Sequence, residues 1–132
     1  MKRVRVVICA AMLLLGCGCW PVAVARPRPV GHVVICWLNQ PGDSQARHKL
    51  ITVSGSFRSI PGVVRVSAGQ AIPSARPVVE SSFDVAVFIY FRDYDALMRY
   101  EQHPVHRAAV ERVLKPLIAR YVVYDFTDEL RR

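Results

Sequence analysis

Apolar residues recur along residues 31–127 with the two periods that distinguish strands from helices. Runs rich in β-branched and aromatic side chains predict four strands, at His32–Leu38, Val63–Ala68, Phe83–Phe91 and Tyr121–Phe126. Pro- and Gly-containing turns bound the first two runs, so these strands end sharply.

A helical period fills the remaining segments. The spacing of apolar residues predicts a helix over Gln45–Ser59, after the first turn. A short helix capped by Asp93 follows the third strand. Pro104 starts another helix, which is expected to extend to about Arg120. Pro116 lies within that segment and must kink or divide it.

The resulting order is β-α-β-β-α-β, which predicts an α+β fold of the ferredoxin-like type. In this arrangement a four-stranded antiparallel sheet carries both helices on one face. The first strand has apolar residues on both faces, so the uncovered face needs a partner. Two such sheets facing each other form a dimeric α/β barrel, and we therefore expect a homodimer.

The N-terminal sequence predicts an export signal. A basic segment at residues 2–5 precedes the apolar run Val6–Leu15, which is too short to span a bilayer with ease. The sequence Leu14–Cys17 is typical of a lipobox, which predicts lipidation of Cys17 and an exported lipoprotein anchored in the cell envelope. The alternative is cleavage after Ala25 at an A-x-A site, which gives a periplasmic protein.

The chain of 132 residues allows one domain and a leader. We divide it into a signal peptide with lipobox at residues 1–19, a Pro-rich tether at 20–30, the barrel domain at 31–127 and a basic tail at 128–132.

Charge and cysteine content narrow the function classes. The formal net charge of +8 comes from basic residues that are scattered, so nucleic-acid binding is not predicted. Cys36 is the single cysteine of the mature domain, which excludes a disulfide framework within one chain; we interpret it as a small buried hydrophobe. The mature domain has no Gly-rich phosphate loop, Ser nucleophile motif or CxxC pair, and no cofactor is predicted.

Five segments carry a family resemblance: His32-Val33-Val34-Ile35, Ile60-Pro61-Gly62-Val63, Phe83-Asp84-Val85-Ala86-Val87, Tyr100-Glu101-Gln102-His103-Pro104-Val105-His106 and Tyr124-Asp125-Phe126. The most specific is the His-Pro-x-His element that follows a tyrosine. Together the segments resemble the stress responsive A/B barrel family, also called the dimeric α/β barrel domain. This resemblance implies a homodimer with a pocket between sheet and helices, although most relatives have no assigned reaction.

The resemblance also implies site residues. In a plant polyketide cyclase of this family, a histidine of the His-Pro-x-His element is the general base and a pocket tyrosine assists. The matching positions are His106 and Tyr100. An imidazole titrates near neutral pH, which suits proton removal from carbon beside a carbonyl, and a phenol can stabilise the enolate. The expected pocket residues are His32, Val34, Cys36 and His103.

Several readings of these histidines remain open. His106 can instead pack at the helix junction that Pro104 creates. A metal site made of His32, His103 and His106 is not predicted, because no carboxylate accompanies them and Pro104 breaks the helical register.

We therefore expect an exported, stress-responsive barrel that binds a small apolar ligand in its cavity. The alternative is a polyketide-cyclase-like or lyase enzyme that uses His106 as general base. A third hypothesis is an oxygen-using or haem-handling barrel, although no residue pattern in the sequence indicates a cofactor site.

Overall fold

The computed structural model describes residues 27–130, which contain four strands and a set of short helices. The predicted signal peptide, the predicted lipidation site Cys17 and the alternative cleavage site after Ala25 lie outside the described residues. The elements are β1 Val30–Leu38, α1 Ser44–Gly55, a 3₁₀ turn Ser56–Ser59, β2 Val63–Gly69, β3 Val85–Phe91, α2 Tyr94–Gln102, α3 Pro104–Ala109, a π-helical turn Val110–Leu114, α4 Lys115–Leu117 and β4 Ile118–Thr127.

The four strands form one antiparallel sheet in the order β2-β3-β1-β4. Strand β1 lies inside the sheet, where it pairs with both β3 and β4. This confirms the ferredoxin-like β-α-β-β-α-β fold predicted from the sequence. Because β1 has neighbours on both sides, its side chains are positioned by both strands, and those on its helix-facing side can form the floor of a site.

The core lies between the sheet and the helices. In β3, Val85, Val87, Ile89 and Phe91 are buried, whereas the residues between them are half-buried. This alternation is the period of two expected for a strand with one covered face. On the other side, Leu50 of α1 and further buried residues of α2 complete the core. The opposite sheet face carries no helix among the described elements and keeps half-buried aromatic residues.

Carboxylate caps start the first two helices. The Asp43 carboxylate accepts hydrogen bonds from the backbone N–H groups of Gln45 and Ala46, at 2.9 and 3.0 Å. The Asp93 carboxylate accepts from the N–H of Ala96 at 2.7 Å. Each cap satisfies backbone donors that the first helical turn leaves free.

The helix predicted from Pro104 to about Arg120 is divided in the structure. It begins at Pro104 as predicted, but α3 ends at Ala109 and a π-helical turn follows, in which the N–H of Lys115 donates to the carbonyl of Val110. Pro116 has no N–H to continue the helical hydrogen bonds. The chain therefore leaves the helix early, and Ile118, expected on a helix, begins β4 instead.

A buried carboxylate ties the end of β1 to the following turn. Asp84, just before β3, accepts hydrogen bonds from the N–H of Leu38 at 2.9 Å and from the N–H of Gly42 at 2.8 Å. Its side chain thus replaces ladder hydrogen bonds where the strand gives way to the turn.

No helix within residues 27–130 is both long and apolar enough to cross a bilayer.

Candidate functional site

A cavity of about 690 Å³ lies between the helix-facing side of the sheet and the helices. This volume is within the range of natural small-molecule sites. Most of its wall is aliphatic or aromatic, and its polar groups are few. The lining consists of His32, Val34, Cys36, Leu50, Ser54, Phe57, Val87, Ile89, Tyr100, Glu101, His106, Val110, Leu114, Lys115, Ile118, Ala119, Arg120, Tyr121 and Val123.

Tyr100 stands at the centre of an aromatic cluster beside the cavity. It belongs to α2 and is 1% exposed. Its ring centroid lies 5.0 Å from that of Phe91 and 5.5 Å from that of Phe57, both with edge-on geometry. Burial raises the pKa of the Tyr100 phenol well above its usual range, so the hydroxyl stays protonated. That hydroxyl has no hydrogen-bond partner among residues 27–130.

His106 packs directly on Tyr100. The two ring centroids are 4.2 Å apart and the planes are inclined by 38°. His106 lies in the first turns of α3, and its Nδ1 is 3.2 Å from the backbone carbonyl of Glu101, to which Nδ1–H donates. This hydrogen bond leaves Nε2 as the ring nitrogen with a free lone pair. Burial lowers the pKa of His106, so the ring is neutral at pH 7.

The position of His106 is compatible with both hypotheses that the sequence left open, a structural role at the helix junction and a role in the cavity. The ring does bind a carbonyl at the junction between α2 and α3, as the structural reading expects. It also lines the cavity together with Tyr100. The same hydrogen bond that fixes the junction therefore also orients an imidazole that lines the cavity.

His32 faces the cavity from the sheet and is held by a carboxylate. In the register of β1 and β4, His32 stands opposite Asp125. The His32 Nδ1 lies 2.6 Å from Asp125 Oδ1, and the His32 side chain is buried. Its ring centroid is 6.0 Å from that of Tyr100. The carboxylate fixes the ring orientation and leaves Nε2 as the nitrogen available to a ligand.

Asp125 had no assigned role in the sequence analysis, although it is part of the Tyr-Asp-Phe segment. Its importance depends on the pairing of β1 with β4, two strands that are about 90 residues apart in the chain. The neighbouring sequence indicates a role for Asp125 only in that it is an acidic residue within a strand segment that is otherwise apolar and aromatic.

Two further predicted pocket residues lie in the cavity wall. Val34 and Cys36 follow His32 at two-residue intervals in β1, so all three point to the same side of the sheet. Burial raises the pKa of the Cys36 thiol to about 11, which keeps it protonated and poorly nucleophilic. Ser54 also lines the cavity, but its hydroxyl donates to the carbonyl of Leu50 at 2.8 Å.

His103 lies elsewhere than the sequence analysis placed it. It occupies the extended residue between α2 and α3, and its Nδ1 accepts from the N–H of Val105 at 3.3 Å. The cavity lining does not include His103. Within residues 27–130, no three His, Cys, Asp or Glu side chains come together as a metal-ligand group.

The arrangement is a mainly apolar chamber with a polar end. That end presents two imidazoles whose Nδ1 atoms are already engaged, by Asp125 for His32 and by the Glu101 carbonyl for His106. The Tyr100 ring lies near both imidazoles, with centroids 6.0 Å from His32 and 4.2 Å from His106, and its hydroxyl is protonated. Such a set can hold a polar atom of a ligand and can accept one proton from it.

Comparison with solved structures places this fold among known ones. A Dabb family protein with a ferredoxin-like fold from Mesorhizobium loti is similar at 20% identity over 76% of this chain and 97% of that chain, with a TM-score of 0.63. A dimeric ferredoxin-like protein of unknown function from Thermobifida fusca matches at 22% identity over 78% and 93%, with a TM-score of 0.64.

A hydroxynitrile lyase from Passiflora edulis is also similar, at 16% identity over 80% of this chain and 98% of that chain, with a TM-score of 0.68. These identities show a shared fold. A search of curated proteins found no significant match.

The family model for the stress responsive A/B barrel domain matches residues 30–128. This match covers most of the chain and nearly all of the described elements, from the first residue of β1 to just past the end of β4. The chain therefore belongs to the stress responsive A/B barrel domain (Dabb) family.

Proposed function

We propose that this protein is a homodimeric barrel that binds a small, mainly apolar molecule in the cavity between its sheet and its helices. The observation that carries this proposal is the cavity itself, about 690 Å³ with an apolar wall and one polar end. Natural ligand sites combine these same features, because the apolar wall supplies affinity and a few polar groups orient the ligand.

A cavity-filling variant tests ligand binding. Leu114 lines the cavity, whereas Leu117, three residues later in the same helical segment, does not. Leu114→Trp should abolish binding of the probe 2-acetylnaphthalene in equilibrium dialysis, and the matched control Leu117→Trp should retain it. Equal binding by both variants would contradict a ligand site in this cavity.

The homodimer is proposed from the uncovered sheet face. Tyr124 and Phe126 are 59% and 49% exposed on this face. Contact of these apolar side chains with water is unfavourable, and a second copy of the chain would remove it by covering them. The similar protein from Thermobifida fusca is dimeric. Sedimentation should give twice the mass of one chain for the protein and a monomer for Phe88→Arg, since Phe88 lies on this face. A monomeric wild-type protein would overturn the proposal. The apolar residues of this face are Val33, Ile35, Trp37, Phe88, Tyr90, Val122, Tyr124 and Phe126.

The second candidate function is a lyase or cyclase that uses His106 as general base. The specific observation that favours it is the stack of His106 on Tyr100, which places a neutral imidazole beside a protonated phenol. His106 would take a proton from the carbon next to a ligand carbonyl, while the Tyr100 hydroxyl hydrogen-bonds the enolate oxygen. The fold is compatible with lyase chemistry, since a hydroxynitrile lyase has it.

Proton exchange at a ketone tests this candidate without knowledge of the natural substrate. The methyl protons of 2-acetylnaphthalene exchange with D₂O through the enolate, and NMR follows their loss. We expect the protein to accelerate this exchange and His106→Gln to remove the acceleration. The control is His48→Gln, because His48 is an exposed histidine of α1 outside the cavity. No acceleration by the wild-type protein would refute the candidate.

We also propose that the protein is exported and anchored in the cell envelope by a lipid on Cys17. The basic start, the apolar run and the lipobox-type sequence before Cys17 support this proposal. Cells expressing the chain should incorporate a labelled fatty acid into it, and Cys17→Ser should abolish the label. A mature protein that begins after Ala25 and carries no label would instead establish a periplasmic form.

A further inference from the structure

The charged groups around the cavity are unevenly distributed. The Asp125 carboxylate stands directly behind the His32 ring, with 2.6 Å between Oδ1 and Nδ1. The side chain of Asp125 is 45% exposed, on the face of β4 that Val123 and Tyr121 also occupy. Glu101 lines the cavity as well. The polar end of the cavity is therefore bordered by two carboxylates.

The two cations that line the cavity are each engaged by another group. The Lys115 ammonium forms an ion pair with Glu111, with 2.5 Å between Nζ and Oε1. The Arg120 guanidinium lies on the uncovered face of the sheet, where it stacks on the Trp37 ring of the paired strand, 3.7 Å from the ring centroid. To pair with a cation, a carboxylate ligand would have to draw Lys115 away from Glu111, an exposed pair that contributes little, or draw Arg120 from its cation–π contact on the other face of the sheet.

Three further polar groups of the lining, Tyr100, Cys36 and His106, carry no charge in weakly alkaline solution. The Tyr100 phenol and the Cys36 thiol are protonated, because burial raises both of their pKa values. The His106 ring is neutral, because burial lowers its pKa. These groups can exchange hydrogen bonds with a ketone or an alcohol, but they offer no positive charge to an anion.

We infer that the cavity selects uncharged ligands that carry a carbonyl or hydroxyl oxygen and rejects carboxylates of the same shape, because Asp125 backs its polar end and both lining cations are already paired. This inference rests on the proposed ligand-binding function and specifies its chemical class. The oxygen of such a ligand accepts a hydrogen bond from the Tyr100 hydroxyl, which has no partner among residues 27–130.

Coulomb's law sets the expected size of the selectivity. Two like charges about 8 Å apart, at an effective dielectric constant of about 20, repel enough to weaken binding roughly thirtyfold. Water reaches the exposed part of Asp125 and screens this repulsion, so we expect a discrimination of about tenfold at low salt.

Matched pairs of probes test the inference on the purified full-length protein. Each pair is a methyl ketone and the carboxylate that replaces its methyl group by oxygen, with a phenyl, naphthyl or octyl group as the apolar part. Equilibrium dialysis at pH 8 and low salt gives the six dissociation constants. The ketones should bind about tenfold more tightly than their carboxylates, and added salt should narrow the difference.

Charge-removing variants identify the source of the discrimination. Asp125→Asn keeps a side-chain oxygen for His32 and removes the charge, so the carboxylates should gain affinity while the ketones change little. Glu101→Gln measures the contribution of the second carboxylate. The control is Glu129→Gln, which removes an exposed charge that pairs with Arg28, and its ratios should match those of the wild-type protein.

The possible results distinguish failure of the selectivity inference from failure of the proposed ligand-binding function. If the carboxylates bind as tightly as the ketones, the inference is overturned and the ligand-binding function stands. If no probe of either class binds, both fall together. A wild-type preference for ketones that disappears with salt supports the inference even if Asp125→Asn does not fold.

Discussion

Replacing Tyr100 by phenylalanine separates the contribution of Tyr100 to stability from its contribution to the site. The ring is almost fully buried against Phe57, Phe91 and His106, and the substitution keeps all of these contacts. The hydroxyl that it removes has no partner among residues 27–130. Tyr100→Phe should therefore change the free energy of unfolding by less than about 1 kcal/mol, because no hydrogen bond to the described residues is lost and the hydroxyl is not a buried unsatisfied group.

Replacing the same residue by alanine gives the contrast. Tyr100→Ala removes the whole ring from the centre of the aromatic cluster and leaves a cavity, which typically costs about 3–5 kcal/mol. Urea unfolding followed by fluorescence measures both variants, and the difference between them isolates the packing of the ring from the hydroxyl.

Ligand binding should weaken when the hydroxyl is lost. In Tyr100→Phe the ketone of 2-acetylnaphthalene loses its hydrogen-bond donor, and a neutral hydrogen bond contributes about 0.5–1.5 kcal/mol, so affinity should fall by roughly two- to tenfold. Equilibrium dialysis gives this value. The reasoning is refuted if Tyr100→Phe destabilises the protein by more than about 2 kcal/mol, because the hydroxyl would then have a structural partner, or if it leaves ketone affinity unchanged.

Three further predictions concern stability and are measured by urea unfolding. The φ of Gly62 is +92°, and an added Cβ would lie 2.5 Å from the Cβ of Ala96, so Gly62→Ala should destabilise the protein by more than about 1 kcal/mol. Gly55 lies in α1 with open space around it, so the contrasting variant Gly55→Ala should stabilise the protein by about 0.5–1 kcal/mol. Asp84→Ala leaves two backbone N–H groups without their acceptor and should cost about 2–4 kcal/mol; a loss below about 1 kcal/mol would contradict its role. Burial lowers the pKa of His106 in the folded state, so the contribution of its neutral ring to stability is complete above about pH 6.5 and is lost as the pH falls through the lowered pKa. His106→Gln should therefore flatten the fall in the free energy of unfolding on the acid side. An unchanged fall would refute the lowered pKa of His106.

The strand and helix order was predictable because it depends on local periodicity. The β-branched and aromatic run of β3 and the carboxylate cap at Asp93 are each set by a few neighbouring residues. The sequence analysis also singled out Tyr100 and His106, and the structure places both at the cavity. Their proximity depends on one short segment, since Pro104 starts α3 immediately after α2.

Features that depend on distant pairing or on irregular backbone were not predictable. In β2 a strict alternation would put Val64 on the covered face together with Val66, but the register shifts between Val63 and Arg65 and Val64 is 60% exposed. Asp125 gains its role only when β4 pairs with β1. The early end of the last helix follows from Pro116, whose presence indicated a break without fixing its position.

The most direct test of the central claim is native mass spectrometry of the protein taken from cell extract, without a step that strips ligands. The account predicts a dimer that carries a reproducible additional mass, and Leu114→Trp, which fills the cavity, should give the dimer without that mass. A monomer without additional mass would contradict both the dimer that covers the free sheet face and the ligand site. A dimer without additional mass would support the dimeric barrel and contradict the binding function.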